Sequence, residues 1–110
     1  DEGNKAKFSD IEVCRTIINC MKAFVGEEKV IEAGYWAVRN LSLSVNNQTM
    51  LGQAGAGDVL TKALNAHISK PTVAEAAFEA IGNLAFRSLE NATLLGKAGV
   101  CMVLVQCLRA

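Results

Sequence analysis

The amino-acid sequence repeats itself with a period of about 43 residues. The Asn-Leu pair at 40–41 recurs at 83–84, and the segment 51–55 recurs as 95–99, so the offset grows from 43 to 44 residues. One extra residue near Leu89, in the loop between the two blocks, accounts for the change. Periods of roughly 20–50 residues are typical of stacked helical arrays, in which each unit covers the apolar face of its neighbour. Such arrays present binding surfaces, so the repeat indicates binding of another chain.

Length and composition fit one folded domain. The chain has 110 residues, of which 51% are hydrophobic and 20% are charged, enough to form a core. The formal net charge is zero, which argues against electrostatic binding to nucleic acid or to an anionic membrane. No run of about 18 apolar residues occurs, so we expect no segment to span a bilayer. The sequence therefore predicts neither a nucleic-acid partner nor a membrane partner.

The four cysteines follow the repeat. Cys14 and Cys101 occupy one repeat position, where the middle block has Gly57, and Cys20 and Cys107 occupy another. Two thiols six residues apart on a helix point about 240° away from each other, so they cannot share a metal ion. Positions that accept Cys, Gly or Ala favour small side chains in a packed interface. We predict reduced structural thiols, no metal, no cofactor, and a cytoplasmic or nuclear location.

Apolar residues recur with helical spacing along almost the whole chain, and strand-type alternation is not sustained. The pattern predicts seven helices in repeating order: short, medium and long. Breaks are expected at Gly26, near 44–46, at 55–57, at 69–71, near 87–89 and at Gly99.

These breaks divide the chain into four parts. They are a polar leader at 1–9, expected to be poorly ordered, a partial unit at 10–44, a complete unit at 45–87 and a partial unit at 88–110. Because the outer units are incomplete, both ends are expected to expose faces that a neighbour normally covers. We interpret the chain as a segment of a longer protein.

The three-helix unit of about 42 residues resembles the armadillo repeat. The matching residues are Ala-Gly at 54–55 and 98–99, followed by Val-Leu at 59–60 and 103–104. Trp36 and Asn40 on the first long helix are similar to the tryptophan–asparagine pair of importin-α-type repeats. The resemblance implies an all-α fold: a right-handed α-solenoid segment of armadillo-type three-helix repeats, with one complete repeat flanked by two partial ones.

Independent of the resemblance, the spacing of these residues predicts a binding groove. Trp36 and Asn40 are four residues apart, so they lie on one helical face, one turn apart. Stacking the units places Asn83 beside Asn40, and an asparagine amide can bind both the amide and the carbonyl of one peptide residue. Trp36 can hold the stem of a basic side chain. We predict a groove of Trp36, Asn40 and Asn83, with Glu79 and Arg39 tuning its charge.

One structural alternative and one objection to a basic ligand stay open. Asn40 and Asn83 can instead satisfy backbone groups at the ends of their helices, with Trp36 as a packing residue. A groove for basic peptides should also be acidic, and Arg39 does not fit that requirement. The second unit has Glu79 where the first has Trp36, so one of the two aromatic rings that would hold a basic side chain is missing.

The predicted function is a non-enzymatic protein–protein interaction scaffold. It binds an extended peptide segment of a protein partner along the groove formed by the third helices of its units. No catalytic constellation accompanies His67, the one histidine of the chain. The alternative is a structural spacer or a self-association element within a larger multidomain protein, which forms a homo-oligomer through its exposed end helices.

Overall fold

The computed structural model describes the backbone of residues 2–110 and the side chains of residues 10–110. The predicted leader at 1–9 lies outside the fully described residues. Over its described length the chain forms seven α-helices and no strand, so the all-α prediction is confirmed. The helices are α1 (Glu2–Ala23), α2 (Glu28–Leu41), α3 (Val45–Gln53), α4 (Ala56–Ala66), α5 (Pro71–Ala85), α6 (Leu89–Lys97) and α7 (Val100–Arg109).

The ends of the helices follow from local chemistry. The side chain of Ser44 accepts a hydrogen bond from the Asn47 amide at 3.4 Å, and that of Ser88 accepts from the Asn91 amide at 3.2 Å. These N-caps satisfy amides that a helix start leaves without partners. Ser44 is the N-cap of α3, and α2 ends at Leu41, a few residues before its predicted end.

The turn between the short and medium helices has the same backbone in both units. Gly55 before α4 has φ 93° and Gly99 before α7 has φ 85°. Glycine enters this left-handed region without the steric cost that a side chain adds. The repeated Ala-Gly pair of the sequence is therefore a repeated turn.

Helices that occupy equivalent places in the repeat contact one another. α1 packs on α4, α4 on α7 and α3 on α6, while α2 and α5 make the most extensive contact of any pair. Three small residues of α5, Ala76, Ala77 and Ala80, are fully buried. Small side chains let the two backbones approach closely, which places the third helices side by side.

Tyr35 is the largest fully buried side chain. Its hydroxyl donates a hydrogen bond from α2 to the backbone carbonyl of Leu60 on α4. Burial raises the pKa of Tyr35 far above its ordinary value, so the phenol stays protonated. The surrounding core is aliphatic and includes Ile18, Met21, Ile31, Val38, Leu51, Leu60, Leu64, Val73 and Leu84.

The cysteines differ in environment although they share repeat positions. All four carry free thiols; Cys14 is buried, Cys107 is half-buried, and Cys20 and Cys101 are exposed. The predicted packed interface is therefore confirmed at Cys14 and wrong at Cys20 and Cys101. Those two lie on faces of α1 and α7 that no described helix covers.

Two amide side chains join the short helices to the end of α5. The Gln48 Nε2 atom donates to the carbonyls of Leu84 at 3.0 Å and Phe86 at 2.7 Å. Asn91 Nδ2 donates to the carbonyls of Gln48 and Leu84, both at 3.0 Å. A Cβ at Gly52 would lie 2.0 Å from Asn91 Oδ1, so a larger residue there would have to displace the Asn91 side chain. The bonds to Leu84 and Phe86 satisfy carbonyls that the end of α5 leaves open.

Candidate functional site

The five predicted groove residues lie on the two long helices. Trp36, Arg39 and Asn40 are on α2, and Glu79 and Asn83 are on α5. Because α2 and α5 pack side by side, residues 43 positions apart in the sequence become neighbours. The structure thus brings all five into one surface.

Arg39 is the centre of this group. Its guanidinium carbon lies 5.8 Å from the centroid of the Trp36 ring. Its Nη1 donates to Asn40 Oδ1 at 3.0 Å, and its backbone carbonyl accepts from Asn83 Nδ2 at 3.2 Å. The sequence predicted Arg39 as a neighbour that tunes charge; in the structure it contacts every other member of the group.

The fourth contact of Arg39 is an ion pair with Glu79. Arg39 Nε lies 3.5 Å from Glu79 Oε1, and both side chains are more than a third exposed. Nε is buried and makes no hydrogen bond with any described residue, so the pair is an electrostatic contact with poor hydrogen-bond geometry. Exposed pairs of this kind contribute about 0–1 kcal/mol. Glu79 therefore orients Arg39 more than it stabilises the fold.

Each asparagine uses one half of its amide within the protein. The Asn83 side-chain NH2 group donates to the Arg39 carbonyl, and the Asn40 side-chain oxygen accepts from the Arg39 guanidinium. Among the described residues, the Asn83 acceptor and the Asn40 donor have no hydrogen-bond partner. Asn40 is exposed and Asn83 is half-buried. The surface therefore offers one donor and one acceptor on adjacent helices.

Sequence reasoning missed Gln48 as a residue that supports this surface. Its Nε2 also lies 3.0 Å from the backbone carbonyl of Asn83, so its two N–H groups are shared among three carbonyls at the end of α5. One sequence feature could have pointed to Gln48. It is an amide residue in a predicted short helix, directly after Asn47, which recurs in the next unit as Asn91. The middle block has glutamine there and the next block has Ala92, so the repeat gave no second example.

A cleft among the described residues lies elsewhere. It has a volume of about 480 Å³ between α1 and α4 and is remote from the groove residues. Its polar lining is Asn19, Lys22, Asp58, Lys62 and Asn65, and Lys62 is paired with Asp58 at 3.0 Å. We place the candidate site at Arg39 because Arg39 and its neighbours make several directed polar contacts. Among its described residues, the cleft contains only the solvent-exposed ion pair between Lys62 and Asp58.

Within residues 10–110, no three His, Cys, Asp or Glu side chains come together as a metal site would require. No single described helix has the length and apolar composition to cross a membrane; α6 and α7 together, bent by 69°, pass on those two criteria alone. Comparison of the chain with models of protein families, with curated proteins and with solved structures found no match.

Proposed function

We propose that this chain is a segment of an armadillo-type right-handed solenoid that acts as a non-enzymatic scaffold. It holds an extended segment of a protein partner across the third helices, α2 and α5. The free thiols of all four cysteines fit a reducing compartment, the cytoplasm or the nucleus.

The serial contact of equivalent helices supports the solenoid. In a solenoid each element contacts its counterpart in the next unit. The pairs α1–α4, α4–α7, α3–α6 and α2–α5 follow that rule. The repeated N-caps at Ser44 and Ser88 and the repeated turns at Gly55 and Gly99 add to the support.

The peptide-binding proposal rests on two side-chain amides. Among the described residues, the NH2 group of Asn40 and the oxygen of Asn83 have no hydrogen-bond partner. A peptide residue needs an acceptor for its N–H and a donor for its C=O. Asn83 Oδ1 supplies the acceptor and Asn40 Nδ2 the donor, on neighbouring helices. Backbone recognition of this kind selects an extended chain rather than a particular side chain.

The position of Arg39 argues against a basic peptide. Its guanidinium already lies over the Trp36 ring, where a lysine or arginine of the ligand would stack. The added positive charge would also repel such a side chain. The scaffold we propose therefore binds a neutral or acidic extended segment.

Peptides selected from a random display library on the immobilised chain would test the proposal. Asn40→Ala should weaken the selected peptide by about 1–3 kcal/mol, the usual cost of an unpaired polar group, measured by calorimetric titration. Asn65→Ala is the matched control, because Asn65 is exposed on α4, away from the groove. Unchanged affinity for Asn40→Ala, or equal loss for both variants, would count against the groove.

The exposed end helices favour self-association as a second candidate. Val105 and Leu108 on α7 and Val13 on α1 are open apolar side chains on opposite ends of the molecule. Contact of α7 with α1 of a second copy would bury them. Leu108→Glu should then lower the mass measured by light scattering, while Gln53→Glu should leave it unchanged. A monomer at high concentration would argue against this role.

A further inference from the structure

Four large apolar side chains stand exposed in the two loops that follow the long helices. Leu43 is 76% exposed, Val45 75%, Phe86 64% and Leu89 84%. Leu43 and Phe86 follow the last turns of α2 and α5, whereas Val45 and Leu89 are the first residues of α3 and α6. We call these four residues the loop edge. The apolar pair recurs at the same place in two successive units.

A missing neighbour does not explain this exposure. Leu43 and Val45 lie at the α2–α3 junction, which is followed in the stack by the α5–α6 junction, and Phe86 and Leu89 lie at that second junction. If the position faced the following unit, the first pair would be covered; if it faced the preceding unit, the second pair would be covered. Both pairs are open. The loop edge therefore faces away from the stacking direction.

The second loop also contains the extra residue of the repeat. Ser44 and Ser88 are both N-caps, so aligning them identifies the inserted residue as Arg87. Arg87 has φ 54°, in the left-handed region that is sterically unfavourable for a residue with a side chain. Its guanidinium carbon lies 5.2 Å from the centroid of the Phe86 ring. It makes no salt bridge with any side chain that the structure describes.

Hydrogen bonds hold this loop in place. Gln48 Nε2 donates to the Phe86 carbonyl at 2.7 Å, and the Ser88 side chain caps α6. Phe86 and Arg87 are thus presented from a fixed backbone, with an aromatic face and a cation side by side. Preorganised groups lose less entropy when they bind a partner.

We propose that the loop edge binds a polyproline II segment of a partner protein. Packed helices lie about 8–10 Å apart, so we expect Leu43 and Phe86, which follow α2 and α5, to repeat at roughly that distance. A polyproline II helix repeats every three residues, about 9 Å, and presents residues i and i+3 on one side. Apolar side chains at i and i+3 therefore meet the two pairs in register, and Arg87 pairs with a carboxylate beside the second of them. Phe86 supplies an exposed aromatic side chain of the kind on which such segments dock.

A membrane surface is less well matched. Peripheral binding to anionic lipid uses clusters of basic residues, and Arg87 is the one basic residue within the loops 42–45 and 86–89. This surface is distinct from the groove at Arg39, so it does not depend on the function proposed above.

Fluorescence anisotropy with the labelled peptide PPLPPLEPP tests the inference. The intact chain should bind it saturably, and the double variant Leu43→Ser, Phe86→Ser should bind at least tenfold more weakly. Arg87→Gln should lose about threefold and should no longer prefer this peptide over PPLPPLKPP. Circular dichroism should show unchanged folding, because all three side chains are exposed.

Two controls separate the loop edge from other surfaces. Leu108→Ser changes an equally exposed leucine on α7 and should leave binding unchanged. Asn40→Ala should also leave it unchanged, since the groove is a different site. The inference is overturned by absent or non-saturable binding, by equal loss in either control, or by phosphatidylserine vesicles that bind through the same four residues.

Discussion

Equivalent residues form the same face of α2 and of α5, yet only the face of α5 is covered by another described helix. Ala76 and Ala80 on α5 are fully buried. Their counterparts 43 residues earlier, Ala33 and Ala37 on α2, are exposed and half-buried. α2 lies on this face of α5, and no described helix lies on the same face of α2.

The opposite face shows the converse. Ile18 and Met21 on α1 are almost fully buried against the helices that follow. Their counterparts on α7, Val105 and Leu108, are exposed. Tyr35 on α2 and Phe78 on α5 show the same contrast, buried and exposed. Place in the stack, rather than residue type, decides burial in this molecule, so equivalent residues can serve as controls for one another.

The largest expected difference is in thiol reactivity. Cys14 and Cys101 share a repeat position, but Cys14 is buried and Cys101 is exposed. Burial raises the pKa of the Cys14 thiol, with a smaller contribution from Asp10, and only the thiolate reacts. If opening costs about 4 kcal/mol, Cys101 should react roughly 1000-fold faster. Modification at pH 8, followed by peptide mass spectrometry, measures the ratio.

A ratio near one would break the comparison, because it would mean that α1 and α7 are equally accessible. Adding urea below the unfolding midpoint should raise the Cys14 rate and leave the Cys101 rate nearly unchanged. This second measurement distinguishes protection by folding from a slow intrinsic reaction.

A leucine pair sharpens the comparison in terms of stability. Leu64 on α4 is fully buried, and Leu108 on α7 occupies the same repeat position at 77% exposure. Leu64→Ala should lower the free energy of unfolding by about 2–5 kcal/mol through lost burial and a residual cavity. Leu108→Ala should change it by less than about 0.5 kcal/mol. Urea denaturation followed by circular dichroism measures both, and similar losses would contradict the assignment of Leu108 to an open face.

The smallest difference concerns one hydroxyl group. Tyr35→Phe removes the hydroxyl's hydrogen bond to the Leu60 carbonyl, which keeps its backbone partner within α4, and should cost about 0.5–1.5 kcal/mol. Phe78→Tyr adds a hydroxyl at the equivalent, exposed position and should be nearly neutral. Equal effects of the two changes in urea denaturation would argue against the buried hydrogen bond.

The raised pKa of Tyr35 also predicts a pH dependence. The folded state keeps the phenol protonated, whereas the unfolded chain releases the proton near its ordinary pKa of about 10. The stabilisation is therefore complete below pH 10 and is lost as pH rises above it. Between pH 9 and 11 the parent chain should lose about 1.4 kcal/mol more than Tyr35→Phe. Parallel pH profiles for the two chains would be the contrary result.

Much of the helical layout could be predicted from the sequence. The 43-residue period, the Ala-Gly turns and the apolar spacing predicted seven helices, and the described chain forms seven. The five groove residues were chosen from spacing on two helices, and they meet in space because those helices pack together. Whether they bind a peptide stays a prediction.

Other features depend on tertiary contacts that periodicity does not encode. The central position of Arg39 arises from its guanidinium and its carbonyl acting together, which side-chain type alone does not reveal. Gln48 has no glutamine counterpart in the next unit, so no repeated signal marked it. The exposure of Cys20 and Cys101 follows from which faces are covered, a property of the assembled stack.

The bonds made by Gln48 have a mechanical consequence. This side chain belongs to α3 but holds carbonyls at the end of α5, and Asn91 of α6 bonds back to the Gln48 carbonyl. A force that pulls the two ends apart must break these cross-links before the unit 45–87 or the unit 88–110 can unravel. We therefore expect the units 45–87 and 88–110 to yield to tension together and not one after the other.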